Sequence, residues 1–176
     1  MMRFSNLLKF AALSGALALA ACSHKPESPA ADNGPPPAQQ DQSAPVQSSS
    51  IVPGSAEDLR VNVGDTVHFD YNAYAITEED RAVLQRQSSW LAKYPQVRVT
   101  VEGHCDERGT REYNLALGAR RANAVKEYLV SLGVASGRLE TISYGKERPM
   151  CTESSESCYA QNRRGVTTIS SGAASS

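Results

Sequence analysis

The sequence predicts an α+β fold: one mixed β-sheet with two long helices packed on one of its faces, an α+β sandwich. Three observations lead there. Residues 97–101 alternate, with Val97, Val99 and Val101 on one side and Arg98 and Thr100 on the other, the period of a half-buried strand. A helical stretch stands on either side of this strand, one stopped by Pro95 and one by Gly133. Shorter strand patterns precede the first helix and follow the second. The order therefore reads β-α-β-α-β-β, with both long helices as crossovers, and no internal repeat is seen.

Taken from the N-terminus, residues 1–21 form a secretory signal: Arg3 and Lys9, then an apolar run from Phe10 to Ala21. That run is too short and too rich in Ala and Gly for a membrane span. It ends Leu19-Ala20-Ala21-Cys22, which resembles a bacterial lipobox. The resemblance implies cleavage before Cys22, lipidation of Cys22 (three acyl chains, palmitate among them), and, with Ser23 following, export to the outer membrane. One acyl chain binds a bilayer only marginally, at about 0.8 kcal/mol per buried methylene, so several are needed for a stable anchor. Residues 22–55 then carry seven of the nine prolines amid Ser, Ala and Gln. Such a segment buries too little apolar surface to offset its ordering entropy and reads as a disordered tether. From residue 23 onward it spans roughly 110 Å extended and ~32 Å as a coil.

The folded domain is read as residues 56–170, with 171–176 a flexible tail. Val61, Val63 and Val67, Phe69 alternate around Gly64-Asp65 and suggest a hairpin or two short strands. Thr77 with Asp80 three residues on starts the first long helix. The second runs from about Asn114 to Leu132. Residues 138–145 and 162–170 supply the last two strands.

The chain has 18 basic and 19 acidic residues, and without residues 1–21 the balance is 16 to 19, or −3. An export signal with that charge disfavours a nucleic-acid role for the clustered arginines. Among the four cysteines, Cys22 is the lipid site. Cys151 and Cys158 lie seven apart in a polar loop and are expected to pair in an oxidising compartment, the alternative being two free thiols. Strand parity turns Cys105 inward as a small buried hydrophobe, away from His104. Neither a zinc site nor a Cys–His nucleophile has the required spacing, so no metal, cofactor or catalytic residue is expected.

The stretch GHCDERGTREYN, residues 103–114, places Asp106 just past the strand end. Leu132, Leu129, Tyr128, Val125 and Ala122 form an apolar stripe that, extended one turn back, reaches Arg121 and Leu117. Arg121 thus faces the sheet, and a buried Arg requires an acid or a ligand. Two readings stay open: an Asp106–Arg121 salt bridge, with the main ligand a protein bound elsewhere, or a pocket in which Asp106 takes a ligand ammonium and Arg121 a ligand carboxylate. A hydrolase would need flanking carboxylates or a nucleophile–base pair, for which Glu102 and Asp106 are the near options.

The segments VEGHCDERGTREYNLALGARRANAVKEYL, ISYGKERP and AQNRRGV resemble the OmpA-type peptidoglycan-binding domain family over about residues 67–166. The resemblance implies a non-enzymatic domain that grips diaminopimelate of the peptidoglycan stem peptide through Asp106 and Arg121. Phe69 and Asp70 match its first strand motif, and Thr110, Asn114 and Arg163 match positions near the pocket. Cys105, His68 and Asn72 depart from residues common in the family. With the lipobox and tether, the resemblance further implies an outer-membrane lipoprotein facing the periplasm, a place in the Tol–Pal system with TolB as partner, and a role in envelope integrity and cell division.

Overall fold

The computed structural model describes residues 51–175; the signal peptide, Cys22 and most of the tether lie outside them. The elements are α1 (Ala56–Asp58), continued by a π-helical turn (Leu59–Val63), β1 (Thr66–His68), α2 (Glu78–Lys93), β2 (Arg98–His104), α3 (Arg111–Ser131), β3 (Leu139–Gly145), α4 (Glu156–Asn162) and β4 (Arg164–Ser171). The sheet order is β1-β4-β2-β3. β2 and β3 are parallel and joined by α3, whereas β4 runs antiparallel to both β1 and β2. The last strand thus enters between the first two, closing a mixed α+β sheet.

Each long helix begins with a threonine cap. Thr77 Oγ1 accepts from the Asp80 backbone N–H and donates to the Asp80 carboxylate. The other Asp80 oxygen accepts from the His68 N–H at 3.0 Å, which occupies a donor on edge strand β1. Thr110 caps α3 in the same way through Tyr113 N–H. Val97, Val99 and Val101 are fully buried against Leu84 and Leu91 of α2 and Val125 and Leu129 of α3.

Two expectations are corrected. Residues 59–63 do not pair as a strand: Gly64 N–H returns to the Leu59 carbonyl, closing a helical turn that buries Leu59 and leaves Val61 half exposed. Three alternating residues beside a glycine satisfy either geometry, and burial of Leu59 favours the turn. A short helix, α4, also precedes β4, so the order is not simply β-α-β-α-β-β. At the other end, Gly54 and Ser55 are buried and Gly54 accepts from Ala174 N–H.

Gly103 sets the approach of β2 to α3. A methyl placed there would overlap the backbone carbonyl of Gly118, and one at Gly118 would overlap Ser143 Oγ. Gly103→Ala is expected to cost about 1–3 kcal/mol, since backbone cannot yield as a side chain does. Urea unfolding checks it as a lower midpoint at unchanged slope.

Candidate functional site

Arg121 is the fourth buried residue of α3, one residue before Ala122 and one turn before Val125 in the apolar stripe, and is 0 % exposed. Its guanidinium is bound by three backbone carbonyls: Nε to Ala73 at 2.8 Å, Nη1 to His104 at 2.8 Å and Nη2 to Asp70 at 3.1 Å. It lies 5.2 Å over the Phe69 ring. The 70–73 turn presents both of its carbonyls because Asn72 adopts a left-handed conformation (φ 55°), which Asn tolerates better than most residues. Three of the five N–H donors of the fork are therefore committed, leaving two. Burial pushes the Arg121 pKa down, partly offset by Cys105 and Asp106, and the residue stays charged.

Asp106 is 4 % exposed and does not bridge to Arg121. Its Oδ1 accepts from the Arg108 backbone N–H and Nε, and its Oδ2 from Arg108 Nη2 at 2.6 Å and Arg163 Nη1 at 3.4 Å. Burial pushes the carboxyl up, but the Arg108 and Arg163 hydrogen bonds outweigh it and hold the pKa below its ordinary value. The salt-bridge reading of Asp106 with Arg121 is thus corrected. The partners are Arg108, two residues on, and Arg163, supplied by the junction of α4 and β4.

Both residues line one pocket of about 120 Å³. Asn114 stands at its edge, donating through Nδ2 to the Arg108 and Thr110 carbonyls and so fixing the 106–110 turn. Tyr71 and Tyr113 complete the rim, with Tyr113 donating to Asn72 Oδ1. Cys105 lies inside, its thiol donating to the Asn114 carbonyl, and burial pushes its pKa up.

The structure brings Asp106, Arg121 and Asn114 together in this pocket. Arg163 stands behind Asp106, buried and held also by the Phe69 carbonyl and Glu156 Oε1. Phe69 is the apolar support beneath Arg121. Thr110 is an exposed helix cap, and Asp70 contributes its backbone carbonyl to Arg121 but does not line the pocket. Asp70 instead borders a broader cleft of about 560 Å³ with His68, Glu79 and Arg163. That cleft is larger but lacks the Asp106 and Arg121 side chains, so size does not decide between them.

Sequence reasoning missed Arg108, Tyr71, Tyr159 and Glu156. Arg108 is stacked between the Tyr71 and Tyr159 rings, at 4.1 and 4.4 Å, and Nη1 reaches Glu156 Oε2 at 3.3 Å. Tyr159 and Glu156 are held by α4, which the Cys151–Cys158 disulfide ties to the preceding loop, and Asn162 Oδ1 accepts from Met150 and Cys151 N–H. The nearness of Arg108 to Asp106 in sequence was the available signal.

His104 lends its carbonyl to Arg121, while its ring is buried beside Glu102, with neither nitrogen hydrogen-bonded among the described residues. Burial, with Arg164 nearby, pushes its pKa down from 6.5 to about 4. In that interval the unfolded chain takes up a proton that the folded one refuses. The stabilisation is therefore complete above about pH 6.5 and falls by on the order of 3 kcal/mol as the pH drops to ~4. His104→Gln should remove this acid limb from a series of urea titrations. A wild-type curve no steeper than the variant's in that interval would contradict it. Among the described residues no group of His, Cys, Asp and Glu is placed to hold a metal ion, and no helix is long and apolar enough to cross a membrane.

Residues 68–163 match the OmpA family. The chain is 57% identical over 121 residues to the peptidoglycan-associated lipoprotein of Mesorhizobium japonicum, covering 69% of this chain and 72% of that one. It is 48% identical over 158 residues to that of Agrobacterium fabrum, covering 90% and 85%. Among solved structures, the peptidoglycan-associated lipoprotein from Burkholderia pseudomallei superposes with a TM-score of 0.59 at 41% identity, covering 60% of this chain and 89% of that one. The C-terminal domain of Helicobacter pylori MotB gives 0.57 at 26%, covering 61% and 84%.

Proposed function

The chain belongs to the OmpA family, and from that membership and the pocket's geometry we propose that it is an outer-membrane lipoprotein that binds peptidoglycan without covalent chemistry. It is a binding protein and not an enzyme. In this reading the lipid on Cys22 anchors the chain, the segment ahead of Gly54 spans the gap, and the domain holds the cell wall, coupling the two layers. The ligand group is the amino-acid end of diaminopimelate, its ammonium on Asp106 and its carboxylate on Arg121. A protein partner of the TolB kind, a place in a Tol–Pal system and a part in envelope integrity and division belong to the same proposal.

The observation that carries it is the separation of the two charges. Asp106 and Arg121 line one pocket without neutralising each other, and Arg121 keeps two N–H donors for a planar carboxylate. A buried pair serving only stability would be expected to meet. Co-sedimentation of the full chain in detergent with purified sacculi tests it. Retention that free diaminopimelate reverses supports the reading, and passage through the pellet unretained sinks it. Released muropeptide fragments would indicate hydrolysis instead.

A further inference from the structure

We propose that Arg108 determines the specificity of this site, as a gate resting on the Asp106 cation subsite that yields to a ligand end carrying an ammonium and a carboxylate together. This rests on the peptidoglycan-binding reading above. Two of the four hydrogen bonds to the Asp106 carboxylate come from the Arg108 guanidinium and a third from its backbone N–H, and the Asp106 side chain is only 6% exposed. A cation approaching Oδ2 therefore meets the Arg108 guanidinium first. Arg108 itself is 33% exposed, so it has room to swing outward. Glu156, 64% exposed, offers it a second carboxylate, and the Tyr71 and Tyr159 rings form a track along which the planar group can slide.

Charge accounting then gives the selectivity. A simple alkylammonium that displaces Arg108 exchanges one cation for another on Asp106 and leaves a guanidinium short of a partner, for no net gain. An amino-acid end supplies an ammonium for Asp106 and a carboxylate for the displaced guanidinium and the uncommitted Arg121 donors. Both exchanged groups are satisfied again. Discrimination between the two ligand types thus belongs partly to Arg108 and not to Arg121 alone.

The test compares the full chain in detergent with Arg108→Ala and Arg108→Gln, each titrated calorimetrically with two stem peptides. One carries diaminopimelate, and the other lysine, which keeps the ammonium but lacks the carboxylate. A thermal melt verifies that each variant is folded. The wild type is expected to bind the diaminopimelate peptide and prefer it over the lysine peptide by at least ~100-fold. Both variants should gain affinity for the lysine peptide, with the preference falling at least ~10-fold. Folded variants that keep the full preference would overturn the gate and leave carboxylate reading to Arg121. Folded variants that lose both peptides would overturn it differently, by making Arg108 an ordinary contact. Wild type that binds neither peptide would instead remove the peptidoglycan reading itself.

Discussion

Arg121→Ala is expected to abolish binding of the diaminopimelate peptide and to lower stability by roughly 2–4 kcal/mol. Two effects oppose each other at this position. Burial disfavours the guanidinium charge, so its removal relieves a desolvation cost. Against that, the buried His104 carbonyl and the half-buried Ala73 carbonyl lose this donor, while that of Asp70 keeps the Ala73 N–H. Each carbonyl left without a donor away from water costs about 1–3 kcal/mol, and the two together outweigh the relief. Arg121→Lys is expected to rescue little, because one ammonium cannot reproduce a fork that serves three acceptors in different directions. Urea unfolding reads the stability change, and calorimetry reads the binding. Unaltered stability in the alanine variant would mean that the carbonyls find other donors.

Asp106→Asn should weaken binding by about 100-fold and stability by about 2–4 kcal/mol, less than for a fully enclosed pair because Arg108 is a third exposed. The amide keeps the shape but removes the charge that both Arg108 and Arg163 face, leaving Glu156 to balance two guanidinium groups. The wild-type pH dependence should differ accordingly. The folded-state pKa of Asp106 lies below its ordinary value, so its contribution is complete above about pH 4 and is lost as the pH falls through the folded value. The variant should lack that lowest acid limb while retaining the His104 limb at higher pH. Coincident curves for the two proteins below pH 4 would contradict this assignment.

The strands and long helices could be read from the chain because their periodicity extends over many residues. Val97 to Val101 can face the core in one way only, and the stripe from Leu117 to Leu129 turns Arg121 inward on periodicity alone. Its acceptors could not be read, because backbone carbonyls carry no sequence signature. Asp106 was placed correctly at the strand end, but its second partner, Arg163, is 57 residues away, and among so many arginines no spacing rule selects it. α4 escaped because ESCYAQN is short and polar, without an apolar stripe. It is held by the disulfide and by Glu156 ion pairs instead of by packing. Val61 and Val63 misled for the opposite reason: apolar alternation over three residues is shared by a strand and by a turn.

The proposed site is a two-charge clamp for an amino-acid end. The most direct measurement is calorimetric titration of the full chain in detergent with the diaminopimelate and lysine stem peptides, repeated on Arg121→Ala. Binding confined to the diaminopimelate peptide, and absent in the folded variant, is the expected result. Equal binding of both peptides, or affinity unchanged by removal of Arg121, would contradict it and leave the buried arginine a purely structural element.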